Sequence, residues 1–329
     1  MNKPLVITHA WMDESYGDHI AIRDMNAFGR IVERVTGRDV HVITPIECAG
    51  FRARRDMHDE CFEMIVFWSS RQPNAAVKSA MNVADHVYAV VQDPNWSVNI
   101  QHDGPLTLVT PFRALEDKDI ADVVSELSSA DINAPGAQKH VFIPFGEMAF
   151  SDRRYMREFV TSPAIPMKQM PRESERARAA YAGSLKPERA ELMAMLGATG
   201  ECDLYGRFTA RDLEAYRGKQ FGESDELRHR VHGHLRPMSV WRAYAAHEAA
   251  VLISDPMMVR FQTHYMRPLE YALAGVPVEV KATTNEAAKY DENMLGEFVL
   301  DDTSGRASLS KLRDAYTMGI EDRIREVWG

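Results

Sequence analysis

Two stretches in the second half of the sequence carry the residue types that hold a phosphorylated nucleotide. The first, Tyr181-Ala182-Gly183-Ser184-Leu185-Lys186-Pro187-Glu188-Arg189, runs from a short apolar segment through glycine and serine into a proline suited to a first helical position. Glycine lets the backbone approach a ligand closely, and a helix N-terminus presents unpaired N–H groups that suit an anion. Lys186 and Arg189 are three residues apart, so they are expected on one side of that first turn, within reach of a diphosphate. The second stretch runs from His264 to Pro277 and reads as a helix starting near Pro268, with Glu270 in its first turn and Arg267 just ahead. An ionised carboxylate only accepts hydrogen bonds and can take both hydroxyls of a ribose, while a guanidinium grips phosphate bidentately. Each stretch also has a plainer reading: a strand–turn–helix with surface basic residues, or a helix start that favours a carboxylate. Both within one half of the chain weigh more than either alone. His229, His232 and His234 resemble a metal set less well, since no carboxylate or cysteine stands at matching spacing, and a structural or base-adjacent role is favoured.

These residues need a scaffold, and the pattern supplies one. Continuous apolar runs at Leu5–Thr8, Val40–Thr44, Met64–Trp68, Val87–Gln92, Leu106–Thr110 and Val141–Ile143 suit strands of a parallel sheet covered on both faces. Helical spacing separates them at Ile20–Val35, Ala75–Ala84 and Asp117–Leu127, which predicts a doubly wound domain. Prolines 163, 166 and 171 mark a linker. A second series follows: strands at Ala180–Ala182, Asp203–Tyr205, Ala250–Ile253, Val276–Val280 and Glu297–Leu300, and helices at Pro187–Leu196, Pro237–His247, Met266–Ala274 and Leu309–Val327. The expected domains are 1–165, 166–305, and a closing helix in 306–329 that packs back on the first domain.

At 329 residues the chain is long enough for two cores of about 150 residues each. No apolar run approaches the roughly 18 residues of a membrane span, and no signal-peptide pattern opens the sequence. Cys48, Cys61 and Cys202 are odd in number and widely spaced, which suits a reducing cytoplasm. The formal charge of −9 argues against a general nucleic-acid coat protein, but a local groove needs only a basic patch. Arg52-Ala53-Arg54-Arg55, Arg153-Arg154 with Arg157, and Arg172 to Arg178 are the candidates, with solvated faces as the plainer reading.

Taken in order, these pieces resemble GT-B glycosyltransferases, and more narrowly the DNA β-glucosyltransferases of T-even bacteriophages. Gly-Ser-Leu-Lys-Pro-Glu-Arg is similar to that family's Gly-Ser-Phe-Arg…Arg diphosphate loop, one residue shorter and with Lys186 for its first arginine. Arg267-Pro268-Leu269-Glu270 resembles its Arg-x-x-Glu, which contacts phosphate and ribose. His232-Gly233-His234-Leu235 with Pro237-Met238 resembles the turn whose backbone reads uracil, and Asp203-Leu204-Tyr205-Gly206 a strand end nearby. In the first half, Val66-Phe67-Trp68-Ser69-Ser70 is similar to a Val-Val-Asn-Ser-Ser strand end. Val90-Val91-Gln92-Asp93, followed by Asn95-Trp96, is similar to the segment carrying the family's catalytic base, and Ile143-Pro144-Phe145 to the close of the domain.

The resemblance implies two Rossmann-like doubly wound α/β domains facing a central cleft, and transfer by direct displacement with inversion. Asp93 would be the base, with an Asp-Pro turn former as its plainer reading. Gly183, Ser184, Lys186, Arg189, Gly206, His234, Leu235, Arg267 and Glu270 would hold the donor. Asp18, Ser69 and Trp96 would lie near sugar and acceptor, with Asp24 as the alternative second acid. Trp96 and Trp11 have ordinary packing as their plainer role. The acceptor implied is a 5-hydroxymethylpyrimidine, 5-hydroxymethylcytosine first, flipped out of duplex phage DNA, and the added sugar would hide that DNA from host nucleases. Arg52, Arg54, Arg55, Arg153 and Arg154 would hold the backbone. Glucose is the default sugar and arabinose an alternative. No tightly bound cofactor or metal is expected, although Mg or Mn could aid UDP release. The enzyme would work as a monomer in the cytoplasm of the infected host. A GT-B enzyme acting on a glycan, lipid or metabolite, and a silent nucleotide- or DNA-binding module, are the other two readings.

Overall fold

The computed structural model describes residues 3–10, 20–56, 61–68, 72–161, 170–216, 225–235, 239–263, 267–301, 304–316 and 319–329. The chain divides into two compact units, one of Met1–Met156, Arg260–Tyr265 and Thr317–Gly329, the other of Arg157–Val259 and Met266–Tyr316.

The first unit contains β1 (Leu5–His9), β2 (Val40–Val42), β3 (Glu63–Trp68), β4 (His86–Val91), β5 (Val98–Asn99), β6 (Leu106–Thr110), β7 (Ile132–Asn133) and β8 (Lys139–Phe142). Six of these form one all-parallel sheet in the order β2-β1-β3-β4-β6-β8, while β5 and β7 pair separately. The apolar runs are continuous because helices cover the sheet: every residue of β1 and β6 is buried. The connections include α1 (Ile20–Thr36), α2 (Pro45–Asp56), α3 (Ala75–Met81), α4 (Ile120–Ser128) and α5 (Met148–Ser151). Asn74 and Asp119 cap α3 and α4 by accepting from the Ala76 and Asp122 amides. Phe28 of α1 anchors the core, with its ring centroid 5.9 Å from Phe67, 5.3 Å from Phe145 and 5.5 Å from Trp328.

After α6 (Arg153–Thr161), the second unit builds a five-stranded sheet from β9 (Ala179–Ala182), β10 (Cys202–Tyr205), β11 (Val231–Gly233), β12 (Ala249–Ile253) and β13 (Val278–Lys281). Its order is β11-β10-β9-β12-β13, again all parallel. Strand order therefore reverses between β9 and β12. That seam also comes apart: β9 pairs β12 only at Ala179 and Ala180, whereas it pairs β10 along its whole length. The helices are α7 (Pro187–Ala198), α8 (Ala210–Glu214), α9 (Asp225–Arg230), α10 (Val240–Ala245), α11 (Pro256–Phe261), α12 (Arg267–Ala274), α13 (Asn285–Phe298) and α14 (Leu309–Ala315). Met193, Leu196, Leu204, Leu213, Leu227, Val251 and Ile253 fill the core on one face.

Two expectations are corrected. The first half of the strand placed at Glu297–Leu300 is the end of α13, Val299 is its C-cap, and Leu300 makes only an isolated bridge to Ala307. Thr284 caps that helix, and Ala287, Asp291 and Leu295 bury at a spacing of four, the helical period. The single closing helix is instead two, α14 and α15 (Ile320–Trp328), parted at Gly319 with φ of 107°. The sequence pattern places no helix at α2, α5, α6, α8, α9, α11 or α13. Cys48, Cys61 and Cys202 are free thiols. No helix among the described residues is long and apolar enough to cross a membrane.

Candidate functional site

Open parallel sheets bind ligands beyond the carboxyl ends of their strands, where strand order reverses. In the second unit that place is the parted β9/β12 seam. Glycines terminate the strands on one side of it. The Gly183 amide donates to the Tyr205 carbonyl and the Gly206 amide to the Gly233 carbonyl, each at 2.9 Å, so the ends of β9, β10 and β11 lie level. A Cβ on Gly206 would run into the Gly183 carbonyl oxygen and the Phe208 ring. Gly206→Ala is therefore expected to cost about 1–3 kcal/mol by overpacking. Gly233, with φ of 82° and open space around it, should lose only about 1 kcal/mol through backbone strain. Urea denaturation of both variants measures the difference, and equal losses would contradict the close packing of these strand ends.

From β9 the chain enters α7 through the Gly183–Lys186 turn. Lys186 is the N-cap, in extended conformation with φ of −127°, so it lies ahead of the first turn rather than on it. Its side chain makes no hydrogen bond or ion pair with the described residues. Arg189 is in the first turn and bonds Ser184 Oγ through Nη2 at 3.0 Å. Its Nη1 lies 3.7 Å from Asp255 Oδ2, which follows β12 on the other side of the seam. Asp255 is held in turn by accepting from the amides of Met257 and Met258 at the start of α11. The Arg189 Nε and the Tyr181 hydroxyl are buried and have no partner among the described residues.

Arg267 is the first residue of α12, and its Nη1 donates to Glu270 Oε2 at 2.8 Å and to the Tyr244 hydroxyl at 3.0 Å. Burial works against the Arg267 charge, but Glu270 together with Tyr244, Tyr271 and Tyr181 outweighs it and holds the guanidinium above its ordinary pKa. Burial likewise raises the Glu270 carboxyl, opposed by Arg267. The sequence placed these two as separate ligand contacts; here they first hold each other, leaving Glu270 Oε1 without a partner among the described residues. His234 is exposed and Leu235 buried. His232 bonds Asp203 at 2.8 Å.

In the first unit Asp93 follows β4 by two residues. Its Oδ1 accepts from the Asn95 amide and side chain at 2.9 and 3.0 Å, which is the turn-forming role. Its Oδ2 makes no hydrogen bond with the described residues. Trp96 is half-buried in the same turn. Asp24 of α1 is buried and accepts from the Tyr155 hydroxyl at 2.8 Å and from Gln92, the neighbour of Asp93, at 3.4 Å. Burial pushes its carboxyl up to about 6, against the two hydrogen bonds and Arg23. A carboxyl raised in the folded state costs stability above that value and nothing once it is protonated in both states, below about 4. Asp24→Asn should therefore gain on the order of 2 kcal/mol at pH 7.5 and almost none near pH 4. Thermal melts of both proteins across that range test this, and a pH-independent gap would contradict it.

Arg153 and Arg154 are exposed at the start of α6. Trp11, Asp18, Ser69, Pro237 and Met238 lie outside the described residues, as do the side chains of Arg52, Arg54 and Arg55 on α2. Tyr181, Tyr244 and Asp255 escaped the sequence reading. For Asp255 a signal existed: it follows β12 as Gly183 follows β9, at the two strand ends that flank the reversal.

No protein-family model matches the sequence, and no curated protein matches it. Solved structures do. The chain is similar to the DNA-modifying enzyme β-glucosyltransferase, solved in the presence and absence of the substrate uridine diphosphoglucose: 12% identity over 98% of this chain and 96% of that one, with a TM-score of 0.59. It also matches Anabaena Alr3699/HepE in complex with UDP (13% identity, 98% and 97% covered, TM-score 0.36). A third match is Phytolacca americana UGT2 complexed with UDP-2fluoro-glucose and pterostilbene (9% identity, 99% and 94% covered, TM-score 0.34). Only the first is similar enough to argue from, and at such identity it speaks for the fold. That fold is α/β of the GT-B class, with a doubly wound parallel sheet in each unit.

Proposed function

We propose that the chain is an inverting glycosyltransferase that moves a sugar from a UDP-sugar to the hydroxymethyl oxygen of a 5-hydroxymethylpyrimidine in duplex DNA. Glucose and 5-hydroxymethylcytosine are the first donor and acceptor to test, with arabinose and 5-hydroxymethyluracil next. The observation that carries the reading is the parted β9/β12 seam, flanked by the Arg189–Asp255 pair and holding buried donors with no acceptor among the described residues. Such donors suit a diphosphate, and the whole-chain likeness to a DNA-modifying glucosyltransferase fits the same chemistry.

In this reading the α7 N-terminus, Ser184, Lys186, Arg189 and Arg267 hold the diphosphate. Glu270 Oε1 takes the ribose hydroxyls, and the backbone of Gly206, His234 and Leu235 faces the uracil. The base is flipped out of the duplex, and Asp93 Oδ2 accepts the proton of its hydroxymethyl group as that oxygen attacks the anomeric carbon. The bond from that carbon to the diphosphate breaks on the opposite face, so the configuration inverts, and the basic residues stabilise the charge left on UDP. Arg153 and Arg154 sit at a helix N-terminus, where the dipole disfavours cations, which is easier to understand if they face a phosphate backbone. The charge of −9 favours the second reading, a glycan, lipid or metabolite acceptor served by the same donor site. No resident cofactor is needed, and a divalent ion would act on UDP release alone.

The test is mass spectrometry of hydroxymethylcytosine and hydroxymethyluracil DNA, each incubated with the protein and a panel of UDP-sugars. A mass gain identifies sugar and acceptor together. No gain on either DNA, with UDP still bound, would reject the DNA acceptor.

A further inference from the structure

We infer that the hydroxyl of Tyr181 is a ligand-facing donor, held ready for a non-bridging oxygen of the diphosphate. This rests on the donor-site reading above and adds a residue to it. Tyr181 belongs to β9, one residue past the last pair that β9 makes with β12, so it lies where the seam opens. The side chain is only 4% exposed, yet its hydroxyl finds no partner among the described residues. Buried hydroxyls are ordinarily paired, and one left alone needs a reason.

The neighbours supply it. A Cβ on Gly183 would overlap the Tyr181 hydroxyl and lie 2.8 Å from its Cζ, so the phenol is tucked under the Gly183 turn and only glycine permits it there. The other tyrosines at the seam are engaged: Tyr244 with the Ala182 carbonyl and Arg267, Tyr271 with the Val251 carbonyl. Arg189, whose Nε likewise has no partner among the described residues, and Arg267 both bear on the phenol electrostatically, with Asp255 opposing. A donor in positive surroundings, under a glycine turn that opens a helix, calls for an anionic acceptor rather than a neutral one. Burial raises the phenol above its ordinary pKa, so it keeps its proton and donates.

Tyr181→Phe removes this one oxygen and nothing else. Calorimetric titrations of UDP and of uridine, on wild type and variant, with thermal melts of both ligand-free proteins, make the test. UDP affinity is expected to fall about ten-fold, equivalent to 1.4 kcal/mol, with uridine affinity unchanged. The melting temperature of the ligand-free variant should equal or exceed that of wild type, because an unpaired buried hydroxyl has been removed. Equal UDP affinity in the two proteins would overturn the inference while leaving the donor site standing, and so would parallel losses for UDP and uridine. A wild-type protein that binds no UDP would overturn both.

Discussion

Asp93→Asn should fold as stably as the parent, bind UDP as well, and transfer sugar roughly 10²- to 10⁴-fold more slowly. The substitution separates the turn role that the structure shows from the proposed role as base. Oδ1 shapes the turn by accepting from Asn95, and an asparagine keeps that oxygen in the same place. Oδ2 has no bond to the described residues, and replacing it by an amide nitrogen removes the only oxygen free to take a proton. Asp93→Ala would remove both functions and confound them. The measurement is kcat from UDP release on hydroxymethylated DNA, with UDP affinity and melting temperature taken beside it. Wild-type turnover in Asp93→Asn would return Asp93 to a turn former and leave the reaction without its base.

Asp203→Ala is expected to lose about 3–5 kcal/mol, a large share of the 5–15 kcal/mol typical of a folded domain. Asp203 is fully buried in β10. It accepts from the Ala177 amide at 3.0 Å and from His247 Nε2 at 2.9 Å on one oxygen, and from His232 Nε2 at 2.8 Å on the other, where Arg230 also approaches to 3.4 Å. The other nitrogen of His247 faces the Ala243 carbonyl at 2.7 Å. Both ring nitrogens of His247 thus face acceptors, which ties Asp203 to the Ala243 carbonyl through one ring. Burial alone would raise the Asp203 carboxyl, but these donors outweigh it and hold it well below the ordinary carboxylate range. Its stabilisation is therefore present above about pH 4 and is lost only as pH falls through that lower folded value. Urea denaturation at pH 7 is the measurement, with Asp203→Asn as a milder companion that retains one acceptor. A loss under about 1 kcal/mol would mean that the network does not organise the start of this sheet.

The parts that were legible in the sequence are those whose cause is local. Leu5–Thr8 or Leu106–Thr110 read as strands because a residue covered on both faces must be apolar at every position. Pro187 announced the start of α7 through its fixed φ. What was missed depends on distant partners. Asp203 read only as part of a strand end, with its partners out of sight, because His232 and His247 lie 29 and 44 residues further along the chain. Tyr181 read as an apolar strand position, and only strand order reveals that its neighbour leaves the sheet beside it. The α13 error has the opposite origin: the local apolar cluster near Phe298 outweighed a capped helical run. Gly319 was passed over because a positive φ is not visible in a lone glycine letter.

Whether a uridine diphosphate sits at the parted seam of the second unit is tested most directly by hydrogen–deuterium exchange with and without UDP. UDP bound at the seam is expected to slow exchange in peptides covering 183–189, 206, 233–235 and 267–270. Binding without protection there, or protection confined to the first unit, would contradict it.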